Sequence, residues 1–153
     1  MQQNNFLNNA FLHHLSIQCA DPKSLSLFYS ETLGMEFKQI HHQEKTKWLC
    51  FGNDRRIIFS PGKKKNLDFA AFSLKDENCL TNFKNILTNN KVSILEYETP
   101  FFMKGSFGVK DPDNNLIIFG ISEINKGIAL SSTYSDHIYG PLQHLTFKSK
   151  DVE

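Results

Sequence analysis

The chain has 153 residues, 40% of them hydrophobic and 22% charged, with a net charge of +1. That is enough chain for one ordinary domain with a real core, and the near-zero charge excludes a global field that would draw nucleic acid or an acidic partner. Cys19, Cys50 and Cys79 follow no metal spacing and fit reduced cytoplasmic thiols, residues 1–9 lack a secretory pattern, and no apolar run approaches the roughly 20 residues that span a bilayer.

Residues 1–10, rich in Asn, are expected to be a disordered lead-in. Residues 12–18 alternate apolar and polar and predict a strand. Asp21-Pro22 then opens a helix, since Asp caps well and Pro suits the first helical position. Leu25, Phe28, Tyr29 and Leu33 give its apolar face, and Gly34 stops it. Residues 35–40, 47–51 and 56–60 predict three short strands, the last two joined by a tight turn at Asn53-Asp54. His41-His42 falls in a polar run and reads as a loop or hairpin end. Pro61-Gly62 and Lys63-Lys64-Lys65 make a break, the lysines reading as a solvated turn. The first unit is therefore βαβββ.

The second unit repeats that order. Residues 67–74 predict a strand and Asp76 a helix cap. Leu80, Phe83, Ile86 and Leu87 form a helical stripe that ends at Asn89-Asn90. Residues 92–97 predict a strand, while 100–107 are ambiguous. Asp111-Pro112-Asp113-Asn114-Asn115 is a dense turn signal before a last apolar strand at 116–121. Residues 123–141 read as a linker.

The strand-Asp-Pro-helix opening, with Phe28-Tyr29 and Leu33-Gly34-Met35, resembles the "D…FY…LG" signature of the vicinal oxygen chelate superfamily. This superfamily includes glyoxalase I, bleomycin and fosfomycin resistance proteins, and extradiol ring-cleavage dioxygenases. Residues 108–119, with their DPDNN turn, resemble its "DPDGN" turn and final strand. The resemblance covers residues 12–121. It implies an α+β fold in which two paired βαβββ modules, 11–62 and 66–122, form an open barrel-like cleft. It implies little about function, because one fold hosts many chemistries.

In the superfamily's metalloenzymes, a His from the first strand and a His or Glu from equivalent strands hold a divalent metal with positions left open for a chelating substrate. His14 matches the first-strand His. Phe69 stands where the second His is usual, and Ile118 stands at the usual Glu. Neither side chain ligates a metal. Asp68, next to Phe69, is expected on the opposite face of its strand. The expectation is therefore no metal or other cofactor within residues 11–122, with His14 a hydrogen-bonded strand histidine.

A repeat qualifies that expectation. The frame His13-His14-Leu15-Ser16-Ile17, with Asp21 closing it, recurs as Gln143-His144-Leu145-Thr146-Phe147, with Asp151 closing it. Residues 142–153 read as the first strand of a second, truncated domain. Two-domain extradiol dioxygenases have a metal-free N-terminal half, which residues 55–62 and 67–74 also resemble. On that resemblance His144 is the first ligand of an Fe(II) site completed beyond residue 153. The chain by itself is then inactive, and it belongs to an enzyme only if a complete second domain supplies the remaining ligands.

Two alternatives stay open. One is a metal-free module that binds or sequesters an aromatic or apolar small molecule, with Trp48, Phe69, Phe72, Phe107 and Ile118 as cleft-lining candidates beside Phe59, Phe101 and Phe102. The other is a single-domain metalloenzyme, a lyase or thiol transferase. No cysteine or serine sits in a recognisable nucleophile motif, and His137 carries no role. Cys19 and Cys50 read as small core residues. The unpaired apolar tail predicts a homodimer, and no nucleic-acid or membrane partner is expected.

Overall fold

In the computed structural model, which describes residues 10–52, 55–63, 66–122 and 145, the chain opens on strand β1 (Phe11–Cys19). Helix α1 (Pro22–Leu33) follows at once. The Asp21 carboxylate caps it by accepting the Ser24 N–H at 3.0 Å, and Gly34 ends it in the left-handed region at φ 63°. Leu25, Tyr29 and Leu33 pack inward as expected. Phe28 does not: it is 54% exposed, because it lies on the flank of the apolar stripe rather than at its centre.

Strands β2 (Glu36–His42) and β3 (Lys45–Gly52) form a hairpin closed by Gln43 and Glu44, both at positive φ (50° and 59°). β2 therefore runs two residues further than its apolar pattern, and His41 and His42 pair with Thr46 and Lys45 at the hairpin end. Strand β4 (Arg55–Pro61) completes the unit. The turn expected at Asn53-Asp54 lies outside the described residues.

The second unit comprises β5 (Asn66–Ser73), α2 (Glu77–Asn89), β6 (Leu95–Glu96), β7 (Phe107–Lys110) and β8 (Leu116–Gly120). Asp76 caps α2 through the Cys79 N–H at 2.8 Å, and Asn90 closes it. The strand expected over 92–97 shrinks to two residues. Lys91, at φ 58°, turns the chain back so that the Val92 N–H still bonds the Leu87 carbonyl at 2.9 Å, which keeps 91–94 wound against the helix end. The ambiguous stretch 100–107 is a loop up to Phe107. Asp111 holds the DPDNN turn by accepting the Asn115 N–H at 2.8 Å, with Asn114 at φ 69°.

The eight strands form one sheet in the order β2-β3-β4-β1-β5-β8-β7-β6, which is open at β2 and β6 and not closed into a barrel. β1 is parallel to β4, β5 is parallel to β8, and β1 and β5 join the two units antiparallel. Leu15 pairs with Ala70 at the centre of that join. Both helices cover one face of the sheet. α1 packs on Cys19, Cys50, Ile57 and Phe59, and α2 packs on Leu74, Phe107 and Phe119. Among the described residues no helix is long and apolar enough to cross a membrane. The expected linker and third-unit strand lie outside the described residues, Leu145 excepted.

The opposite face holds a separate cluster of Leu49, Phe51, Ile58, Phe69, Ala71 and Ile118, onto which Phe101 and Phe102 pack from the loop before β7. Gly120 makes this packing possible. A Cβ there would overlap the Phe102 ring and stand 2.9 Å from the Ser106 Cβ. Gly120→Ala is expected to cost about 1–3 kcal/mol by overpacking, read as a lower urea midpoint with unchanged slope. A midpoint equal to that of the parent would show that Phe102 does not sit on this glycine.

Candidate functional site

Strand alternation alone puts His14, Ser16 and Gln18 on the face opposite the helices, with Leu15, Ile17 and Cys19 beneath them. Two irregularities in the β1–β5 ladder change which neighbours join them. The register steps from Leu12↔Phe72 to His14↔Ala71, which leaves His13 unpaired, and from Ser16↔Phe69 to Ile17↔Leu67, which leaves Asp68 unpaired. Each extra residue is a bulge, and a bulge re-aims its side chain. His13 and Asp68 consequently share the face of His14.

The two histidines meet there. Their Nδ1 atoms lie 2.9 Å apart, so one ring donates its proton to the other. His13 is 5% exposed and His14 is fully buried. The His14 ring stands edge-on to Phe69, Phe101 and Phe102 at centroid distances of 5.6, 5.0 and 4.9 Å. His13 sits 5.3 Å from Phe102. Burial, aided by the Arg56 charge, pulls the His13 pKa down to about 4. Burial also holds His14 well below the usual histidine range, with His13 and Arg56 adding to the effect. Both rings are thus neutral at pH 7. The His14 Nε2 is buried and has no hydrogen-bond partner among the described residues.

Beside the pair runs a polar strip. Asp68 accepts from the Ser16 hydroxyl at 3.2 Å and from the Gln18 amide at 3.1 Å. Lys47, 6% exposed, has its pKa lowered by burial, and the Asp68 carboxylate partly opposes that shift. The Tyr97 ring lies 5.4 Å from Phe69, and burial together with Asp68 pushes its hydroxyl pKa up to about 12.

Two of the sequence-selected residues, Phe69 and Ile118, fall in the cluster around His14. Trp48, Phe72 and Phe107 require correction as cleft-lining candidates. Trp48 packs in the α1 layer near Phe37, and Phe107 lies under α2. Phe72 stacks on Phe119 at 6.0 Å on that same helix-covered face. Phe59 also belongs under α1. The physical reason is parity: these residues alternate with the opposite-face residues of their own strands. Asp68 is corrected the other way, by its bulge. His144 lies outside the described residues. His13 was missed by sequence reasoning, and its only signal was the doubled histidine inside an alternating strand.

The donor set does not fit a divalent metal. Two imidazoles already share a hydrogen bond, three phenylalanine rings pack against the His14 ring, and no group of three or more His, Cys, Asp or Glu converges among the described residues. At least three protein ligands are the rule for such sites. Burial also keeps the Cys50 thiol up at about 11, far from a reactive thiolate.

Comparison with known proteins places this geometry. The family model described as Glyoxalase/Bleomycin resistance protein/Dioxygenase superfamily matches residues 11–119. No curated protein matches the chain in sequence. Among solved structures, a catechol 2,3-dioxygenase superposes with a TM-score of 0.62 at 13% identity, covering 72% of this chain and 38% of that one. The 2,3-dioxygenase LapB from Pseudomonas sp. KL28 gives 0.61 at 16%, covering 72% and 40%. The methylmalonyl-CoA epimerase from Mycobacterium tuberculosis gives 0.54 at 14%, covering 72% and 87%. At these identities the likeness is one of fold. The matched part of the chain spans 38% and 40% of the length of the two dioxygenases.

Proposed function

The chain belongs to the glyoxalase/bleomycin resistance protein/dioxygenase superfamily, and from that premise we propose that it serves as a metal-free, non-catalytic domain, the counterpart of the N-terminal half of a two-domain extradiol ring-cleaving dioxygenase. The observation that carries this reading is the company His14 keeps. Its ring meets Phe69 edge-on at 5.6 Å, and Ile118 completes the same buried cluster. By the sequence resemblance, those are the two positions where the superfamily's metalloenzymes usually carry ligands. Phe101 and Phe102 fill the remaining space against the imidazoles. Iron and ring cleavage, on this reading, belong to a following module that begins at His144. A module that sequesters a flat apolar ligand has less support, because the loop phenylalanines already occupy the face it would need.

Elemental analysis of the purified chain tests the proposal. Iron, manganese, zinc and nickel are all expected well below one equivalent after purification in metal-supplemented buffer. Catechol added with O2 and Fe(II) is expected to stay uncleaved. One equivalent of any of these metals, released by His14→Ala, would overturn the reading in favour of a self-sufficient metalloenzyme.

A further inference from the structure

The stretch from Tyr97 to Ser106 is a loop tied at its own neck, where the Ser106 hydroxyl donates to the Tyr97 carbonyl at 2.6 Å. Its inward side chains, Phe101 and Phe102, are 9% and 6% exposed and rest on both imidazoles of β1. Its tip faces open space: Met103 is 39% exposed, and a Cβ on Gly105 would meet nothing within 4 Å. Outside the neck, the Met103 N–H bonds the Ile121 carbonyl at 2.9 Å, Phe102 bridges Ser122, and the His42 Nε2 donates to the Glu98 carbonyl at 3.1 Å. The His42 bond is compatible with either protonation state, since imidazole and imidazolium both have an N–H to give.

This loop is the weakest wall around the His13–His14 pair. Phe69 and Ile118 stand on strands paired on both sides, β5 between β1 and β8, and β8 between β5 and β7. The loop is held by isolated bonds, and such segments open at lower free energy than core strands. A proton arriving at the pair strains that wall. The two Nδ1 atoms face each other 2.9 Å apart around one proton, and a second proton there would set N–H against N–H. A proton on an outer nitrogen leaves an imidazolium among phenylalanine rings, where a charge without water is costly. The groups facing the pair do not relieve it. β4 brings Arg56, a like charge that lowers the proton affinity of both rings, and β3 brings Lys47, whose charge has the same sign. The Asp68 carboxylate on β5 accepts from Ser16 and Gln18. The Tyr97 hydroxyl stays neutral, and β8 carries no titratable side chain. Water is the stabiliser left, and lifting Phe101 and Phe102 admits it.

We propose that residues 97–106 form a proton-released cover: uptake of a proton by the buried His13–His14 pair lifts Phe101 and Phe102 off the sheet and opens the face that carries His14, while the eight strands stay paired. The device goes beyond the non-catalytic reading. A chelator in the buffer keeps metal content, which tests that reading, out of the measurement.

Amide exchange of the full chain, followed residue by residue from neutral to mildly acid pH with EDTA present, tests it. The Met103 amide is the reporter, because its bond to the Ile121 carbonyl forms only with the loop in place. After correction for the intrinsic exchange rate, its opening constant is expected to rise by up to about tenfold per pH unit below 6.5, the limit for one proton taken up on opening. The amides of β5 and β8 are expected to exchange far more slowly at every pH. His13→Leu should abolish the rise. Arg56→Met, which leaves both imidazoles in place, should weaken it, because the closed pair then takes its proton at higher pH, and Arg56→Lys should keep it. A Met103 opening constant that is the same at every pH would overturn the proposal by uncoupling the loop from the pair. So would one equal to that of β5 and β8 throughout, which would make loop release no more than global unfolding. An undiminished rise in both His13→Leu and Arg56→Met would overturn it as well.

Discussion

Acidification from pH 7 towards pH 4 is expected to remove about 3 kcal/mol of unfolding free energy through His13 alone, at about 1.4 kcal/mol for each tenfold difference in proton affinity between the folded and unfolded chain. An unfolded histidine takes its proton near pH 6.5, whereas His13 in the fold does so at about 4. Between those values the unfolded chain binds more protons, so stability rises with pH across the window. The contribution is fully present above 6.5 and is lost as pH falls towards 4. His14, shifted in the same direction, extends the loss further. Arg56 deepens the effect, because a second cation beside the pair disfavours the imidazolium. The carboxylates of Asp21 and Asp76 are held below their usual values by the helix-capping bonds they accept, so they lose their contribution at lower pH and leave this window to the histidines. Urea unfolding at pH 7, 6, 5 and 4.5 reads the effect, and His13→Leu should flatten the curve. A parent stability constant from pH 7 to 4.5 would show that the pair is not buried as a neutral unit.

Phe69→Ala is expected to cost about 3–5 kcal/mol, the range for truncating a fully buried aromatic. Phe69 is 1% exposed and touches both His14 and Tyr97. Truncation removes its own burial and opens a cavity beside an imidazole whose Nε2 has no partner among the described residues. Phe28→Ala offers the internal contrast. Phe28 is 54% exposed on α1, so its truncation should change stability by less than about 0.5 kcal/mol. Denaturant midpoints of the two variants decide the matter. Similar losses would place Phe69 outside the buried cluster.

The helices, their ends and the order of the first βαβββ unit were legible in the chain, because caps, glycine stops and turn residues act over three or four positions, whereas β7 fell at the end of a stretch whose pattern was ambiguous. Asp21, Gly34, Asp76 and the Asp111–Asn115 turn all do what their residue types dictate locally. The shortened β6 was not legible, since Lys91 turns back only where α2 ends. The face of each strand residue was harder still. Alternation says which residues share a face, but only the packed helices say which face is covered, and for that reason Trp48, Phe72 and Phe107 lie opposite Phe69 and Ile118.

The amino-acid sequence by itself determined the two-unit α+β architecture and the absence of ligand side chains at Phe69 and Ile118. Tertiary structure decided who stands beside His14. The bulges at His13 and Asp68 exist only in the pairing of β1 with β5, and a bulge breaks the two-residue period on which any reading of a single strand depends. That pairing joins two segments some fifty residues apart, and it turned a doubled histidine into a buried, proton-sharing pair.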